Sequence, residues 1–132
     1  MRNLETYNIN DTFHVIKENK TEVHYYLFDE YEIHLNKIPS HTTQEWHYHN
    51  QIEEVILVTK GKLKCLWIEN GQKHSQTIHE NELVLVKQSI HTLTNDSHED
   101  CEFVVFRLVL EGKNKRDIMK EDKIVVKHID EL

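Results

Sequence analysis

Apolar and polar residues alternate with a period of two along most of this 132-residue chain, and that alternation limits the folds open to it. Successive side chains of a β-strand point to opposite faces, so such segments form strands with one buried face. The strand-like runs recur every eight to twelve residues or so, the spacing typical of β-sandwiches and barrels. Turn signals separate them, and Asn70-Gly71 is a strong two-residue hairpin signal. The sequence therefore predicts an all-β sandwich or barrel.

Individual strands and the domain limits follow from this pattern. The first predicted strand is Tyr31–Leu35, in which the odd positions are apolar and the even ones polar. The later predicted strands are Val55–Val58, Leu63–Trp67, Gln72–Ile78, Leu83–Val86, Glu102–Leu110 and Ile124–Val126, the last on this chain or on a partner subunit. Residues 113–123 are predicted as a linker or a single turn. We expect one domain over 1–132, with a barrel core at about 31–110 and flanking or dimer-contact segments at 1–30 and 111–132.

The composition excludes several classes of protein. The net charge of −7, from 23 acidic and 16 basic residues, argues against partners such as nucleic acid or an anionic membrane surface. No apolar run approaches the roughly 18 residues of a membrane span, and the first residues do not resemble a signal peptide. Cys65 and Cys101 lie in apolar runs and are predicted to be buried small hydrophobes. We therefore expect a cytoplasmic protein with reduced cysteines.

Histidine is unusually abundant, with 11 residues in the chain. In His47-Tyr48-His49 both imidazoles point to one face of a strand and can converge on one metal ion. A chain this rich in histidine contains such a triplet about once by chance, so alone it is weak evidence. A carboxylate follows at Glu53 or Glu54, and we favour Glu54 because it shares a face with apolar residues of the run leading to Gly61. Glu53 remains open, as does a solvated acidic turn.

A third imidazole follows the predicted strand Leu83–Val86, at His91. Three imidazoles and a carboxylate suit one divalent transition metal ion, Fe²⁺, Mn²⁺, Ni²⁺, Co²⁺ or Zn²⁺, and leave coordination positions open for a substrate. His41 follows the single proline and is expected at the mouth of a pocket. The remaining histidines are predicted to be solvated: His14, His24, His34, His74, His79, His98 and His128.

The ligand candidates carry a family resemblance. The segment His47–Glu54, followed by Gly61, resembles the first signature of the cupin superfamily, which is His-x-His, then Glu, then Gly. His91 and Asn95 are similar to the His and Asn of its second signature. Three residues depart from that signature, since Glu80, Val86 and Gln88 stand where Gly, Pro and Gly are usual. The resemblance covers residues 31–110 or so.

This resemblance implies a fold and a ligand set. The implied fold is a small double-stranded β-helix, the jelly-roll barrel of the cupins. The implied ligands of one divalent metal are His47, His49, Glu54 and His91. Small cupins include dioxygenases, decarboxylases, and sugar isomerases and epimerases.

Side chains beside the metal are predicted from strand parity. Leu63, Cys65 and Trp67 are expected to face inward and to make the pocket largely apolar. Trp67, His41 and Arg107 are the candidate substrate-binding residues. Arg107 lies in an apolar strand, where it can clamp a substrate carboxylate or phosphate, face solvent, or pair with a surface acid.

The sequence leaves three functional hypotheses open. The first is a metal-dependent enzyme that acts on a small polar organic molecule, with dioxygenase chemistry at Fe²⁺ favoured and no general base or nucleophile identified. The second is a non-enzymatic cupin that binds or senses a small molecule. The third is an isomerase or epimerase that uses a His–Tyr pair without metal. We expect a homodimer, because both faces of the strand Phe103–Leu110 are apolar and the first thirty residues or so need covering.

Overall fold

A computed structural model describes residues 3–109, 123–127 and 129, and these residues form two antiparallel β-sheets. A short 3-10 turn, Ile9–Asp11, precedes the strands. The strands are β1 Phe13–Ile16, β2 Glu22–Leu27, β3 Tyr31–Ile38, β4 Thr42–Thr43, β5 His47–His49, β6 Ile52–Lys60, β7 Leu63–Glu69, β8 Gln72–Ile78, β9 Leu83–Leu85, β10 Ile90–Asn95, β11 Cys101–Val109 and β12 Lys123–Val125. The first sheet has the order β1-β2-β3-β11-β6-β9, and the second has the order β12-β5-β10-β7-β8 with β4 also paired to β10. The predicted all-β class is confirmed.

Most strands lie where the sequence predicts them, but the ends of the chain differ. β1 and β2 pair with each other and with β3, so the first sheet begins well before residue 31. β12 pairs with β5 of the same chain, with Val125 opposite His47, so its pairing is within the chain. Residues 113–122 of the predicted linker lie outside the described residues, as does His128.

The core lies between the two sheets. Its buried residues are Ile38, Ile56, Val58, Leu63, Cys65, Ile78, Val86, Leu93, Cys101, Phe103 and Val105. Both cysteines are free and buried, as predicted, and burial raises the pKa of each thiol to about 11. They therefore behave as small apolar residues that fill the space between the sheets.

β3 buries its polar face and turns its apolar face outward, the reverse of what is usual for an amphipathic strand. Its polar residues Glu32, His34 and Asn36 are the buried ones, at 4%, 5% and 8% exposure, while the apolar Ile33 and Leu35 lie on the outer face. The prediction that His34 is solvated is wrong. The alternation fixes two faces but not which of them is buried. A strand with its polar side inward places hydrogen-bonding groups inside the barrel.

Two turn glycines adopt positive φ, Gly61 at 79° and Gly71 at 73°. A Cβ atom on Gly61 would lie 3.0 Å from the carbonyl oxygen of Asp100 and 3.4 Å from Cα of Cys101. A Cβ atom on Gly71 would meet nothing within 4 Å. Gly61 is thus required for both its conformation and the close approach of the neighbouring strand, whereas Gly71 is required for its conformation alone.

This difference predicts unequal effects of the same substitution. Gly71→Ala should lower the free energy of unfolding by about 1–2 kcal/mol, the cost of the left-handed conformation. Gly61→Ala should lower it further, because the backbone of Asp100 must also move. Urea denaturation of the two variants measures both effects. Equal midpoints would contradict the proposed close approach.

Candidate metal centre

Four buried side chains meet between the two sheets. His47 and His49 come from β5, Glu54 from β6 and His91 from β10. Strand pairing places His91 directly opposite His47, so their side chains point to the same side of the second sheet. One potential ligand atom from each of the four residues lies within 4.8 Å of all the others. The fold therefore gathers the four ligand candidates of the sequence into one cluster.

Hydrogen bonds orient two of the imidazoles. Nδ1 of His47 donates to the carbonyl oxygen of Glu45 at 3.0 Å, and Nδ1 of His91 donates to that of Ser89 at 2.9 Å. In each ring the proton is then on Nδ1, which leaves the lone pair on Nε2. This is the arrangement in which an outer hydrogen bond selects the tautomer of a metal-binding histidine.

The ring nitrogens of His49 and His91 that do not bond to the backbone are available as metal ligands. Nε2 of His49 lies 3.0 Å from Oε1 of Glu54. Yet within the described part of the chain neither ring nitrogen of His49, nor Nε2 of His91, has an aligned hydrogen-bond partner. A buried polar atom without a partner costs about 1–3 kcal/mol. A cation bound at the cluster would satisfy Nε2 of His91 and one of the two ring nitrogens of His49, and three imidazoles with one carboxylate suit a divalent transition metal.

Burial also sets the protonation states that metal binding needs. It lowers the pKa of His47 to about 4, with a further contribution from the nearby His91. The pKa of His91 is likewise lowered by burial. Both rings are therefore neutral at pH 7, the form in which an imidazole ligates a metal.

Arg107 holds the other oxygen of Glu54. The two residues are paired across β11 and β6, and Nε and Nη2 of Arg107 lie 2.8 Å and 2.7 Å from Oε2 of Glu54. Burial alone would raise the pKa of Glu54, but its contacts with His49 and Arg107 lower it overall. The carboxylate is therefore ionised. Arg107 thus pairs with a buried ligand candidate, and the guanidinium positions that carboxylate.

The side chain of Glu53 points away from the cluster that contains Glu54 and contacts a turn of the backbone. Its Oε1 accepts a hydrogen bond from the backbone N–H of Lys87 at 3.2 Å, in the turn before β10. Lys87 adopts a φ of 51°, and the side chain of Gln88 donates to the carbonyl oxygen of Asn50. These contacts form the turn in which the second cupin signature has Pro and Gly. Glu53 thus stabilises the turn that leads into the strand of His91, while Glu54 points into the cluster.

Trp67 and His41 are the two remaining predicted site residues. Trp67 is opposite His91 on β7, stacks on His74 with ring centroids 5.5 Å apart, and lines a separate cavity of about 450 Å³. His41 is exposed and contacts the ring of His98 near the far end of β10. It lines neither that cavity nor the one beside Glu54.

A cavity of about 180 Å³ adjoins Glu54. It is lined by Lys17, Tyr25, His34, Asn36, Gln44, Glu54, Ile56, Leu93, Phe103, Val105, Arg107 and Lys123. The predicted apolar pocket with Cys65 and Trp67 in its wall corresponds to the cavity of about 450 Å³, whereas this second space beside Glu54 has a largely polar lining. The alternation of β3 does not show which of its faces is buried, so it does not predict this polar lining, and no local motif marks Lys17.

A second group of ligand-type side chains lies on the outer hairpin. His14, Glu22 and His24 are close enough to share an ion, but the side chains of His14 and Glu22 are 43% and 40% exposed. The imidazoles stack with centroids 4.1 Å apart. Measurements of metal content need to separate this group from the buried one.

Comparison with known proteins gives structural relatives only. No protein-family model matches the sequence, and no curated protein matches it. The polyketide cyclase RemF of Streptomyces resistomycificus superposes with a TM-score of 0.66 at 14% identity, over 80% of this chain and 79% of that one. A tryptophan-to-phenylalanine variant of oxalate decarboxylase from Bacillus subtilis superposes with a TM-score of 0.73 at 10% identity, over 96% of this chain and 34% of that one. CapF superposes with a TM-score of 0.66 at 14% identity, over 86% and 33%.

Fold and site together define a small double-stranded β-helix with a buried His₃Glu cluster. Its structural neighbours are cupin-fold proteins, so the fold is the cupin fold, as the sequence resemblance implies. This chain spans about a third of the oxalate decarboxylase and CapF chains.

Among the described residues, no helix is long and apolar enough to cross a membrane.

Proposed function

We propose that this protein is a metal-dependent cupin enzyme that acts on a small polar organic molecule. The observation that carries the proposal is the convergence of His47, His49, Glu54 and His91, with buried imidazole nitrogens that have no aligned hydrogen-bond partner among the described residues. The bound ion would be one of Fe²⁺, Mn²⁺, Ni²⁺, Co²⁺ or Zn²⁺. When bound, such an ion supplies a Lewis acid or a redox centre beside the cavity.

The chain's own residues would prepare this site in three ways. The carbonyl oxygens of Glu45 and Ser89 orient two imidazoles, and Arg107 holds Glu54 ionised through its second oxygen. The sheets exclude water from the ligand atoms, and the adjoining cavity gives a small molecule access to Glu54. We favour dioxygenase-like chemistry at Fe²⁺, as the ligand set suggests.

The experiment that tests this proposal has two parts. Protein purified without an affinity tag is assayed for bound metal by elemental analysis, and oxygen uptake is followed with Fe²⁺-loaded protein across thiols, diketones and phenolics. About one equivalent of metal in the buried site and uptake with one substrate class support the enzyme. Bound metal without turnover of any compound would favour a non-enzymatic cupin that binds or senses a small molecule.

One observation favours a second candidate, an isomerase or epimerase that works without metal. The rings of Tyr25 and His34 contact each other with centroids 4.5 Å apart, and both residues line the cavity. Nε2 of His34 donates to Oε1 of Glu32 at 2.8 Å, an acid that would stabilise the protonated ring. Burial lowers the pKa of His34, so the ring is neutral and can accept a proton at Nδ1. Activity retained after complete chelation would select this candidate.

We also propose a cytoplasmic homodimer. The outer face of the first sheet carries the apolar side chains Ile33, Leu35, Val55, Leu57, Val104 and Phe106. At its edge, Leu83 and Leu85 are 54% and 50% exposed. A contiguous apolar face of this kind is typical of a subunit interface, and a second copy of the chain presents the same face. Size-exclusion chromatography with light scattering measures the mass, and a monomer at all concentrations would contradict the proposal.

A further inference from the structure

The cavity beside Glu54 is small and unusually rich in cations. Its volume of about 180 Å³ lies below the roughly 300 Å³ at which sites for drug-sized ligands begin, so it fits a molecule of only a few carbon atoms. Three cationic side chains line it, those of Lys17, Arg107 and Lys123. The acid among its lining residues is Glu54, and Arg107 already contacts that carboxylate. Lys17 and Lys123 add two further cationic groups to the lining, of which Lys123 is paired with Glu45 outside this cavity.

The two lysines stand at the outer end of this cavity. A neighbouring concavity of about 300 Å³ is lined by Lys17, Glu18, Asn19, Gln44, Glu45 and Lys123. The two spaces share Lys17, Gln44 and Lys123, so these residues form a neck between the outer concavity and the space beside Glu54. Lys17 and Lys123 therefore line both spaces.

The lysines differ in how they are compensated. Lys123 pairs with the carboxylate of Glu45. Among the described residues, no carboxylate lies within ion-pair distance of the ammonium group of Lys17. Burial lowers the pKa of Lys17, and the nearby charge of Lys123 lowers it further. An anion between the two lysines would reduce this repulsion.

Asn36 supplies an independent sign of a ligand deeper in the cavity. Its side chain lines the cavity and is 8% exposed. Its Nδ2 amide group has no hydrogen-bond partner within the described part of the chain. A buried donor in this state costs about 1–3 kcal/mol, which a ligand oxygen would recover.

We propose that this cavity binds a small carboxylate, held by Lys17 and Lys123 at its neck and by Asn36 inside it. The inference rests on the proposed function, since it names the substrate class of the same site. A carboxylate of a few carbon atoms matches the volume, the positive charge and the unpartnered amide donor together. Its uncharged part would lie against Ile56, Leu93 and Phe103, which also line the cavity.

The test is an NMR titration of the full chain with propionate, in metal-free and metal-loaded form. Propionamide serves as the neutral analogue and sulfate, at matched ionic strength, as the inorganic anion. We expect saturable binding of propionate with shifts at the cavity residues. Lys17→Met keeps the apolar stem of the side chain and should weaken binding about tenfold, the effect of one lost charge-assisted contact. Lys123→Met is a second variant with the same expectation.

Lys62→Met is the matched control, because Lys62 is exposed and lines a different concavity beside Gly61. It should bind propionate as the unmodified protein does. The proposal is overturned if Lys17→Met and Lys62→Met bind equally, if propionamide binds as tightly as propionate, or if sulfate is preferred. Elemental analysis of the same samples separates the two proposals. A chain that binds propionate but no metal would refute the metal enzyme and leave the carboxylate site standing.

Discussion

Replacing His49 or His91 with Ala should remove most of the metal bound in the buried site. Each substitution deletes one of the four ligand candidates. Loss of a ligand from a four-ligand set should reduce metal affinity by more than the 10–100-fold typical of removing an outer hydrogen-bond partner. Elemental analysis of protein reconstituted with one equivalent of metal, followed by gel filtration, measures the loss.

His98→Ala is the matched control for this experiment, because His98 is exposed and contacts His41 at the far end of β10. It should retain the metal. All variants are best made in a His14→Ala background, so that the exposed group on the outer hairpin does not add a second equivalent. Equal metal content in the His49, His91 and His98 variants would contradict the assignment of the buried site.

Much of the fold could be predicted because strands and their turns are local features. Asn70-Gly71 does form the tight hairpin between β7 and β8, with both residues at positive φ. β8 has the predicted bounds, and β11 lies within one residue of its prediction. The sequence places β1 and β2 in a flanking or dimer-contact segment, and only their pairing with each other and with β3 shows that they belong to the first sheet.

The site was partly predictable for the same reason. His47, His49 and Glu54 are local in sequence, and the parity of a strand places them on one face. The partner of Arg107 could not be predicted, because Glu54 lies 53 residues away and on a different strand. The polar cavity likewise depends on which face of β3 is buried. Tertiary packing decides that, and no period in the sequence can.

Arg107→Met should destabilise the metal-free protein by about 3–5 kcal/mol, the usual cost of removing one partner of a buried ion pair. The substitution keeps most of the apolar stem but leaves the carboxylate of Glu54, 5% exposed, without its cation. Urea denaturation at pH 7 measures the change in the free energy of unfolding. Lys37→Met is the control, since Lys37 and Asp100 form an exposed pair at 3.8 Å whose loss should cost about 0–1 kcal/mol.

The double variant Glu54→Gln/Arg107→Met separates charge from packing. If the loss comes from the uncompensated carboxylate, removing that charge as well should recover much of the stability, because the two effects are coupled. Bound metal should act in the same direction, since a divalent cation beside Glu54 replaces the charge that Arg107 supplied. The cost of Arg107→Met should therefore be smaller in the metal-loaded than in the metal-free protein. A cost that is the same with and without metal would mean that Glu54 does not ligate the ion.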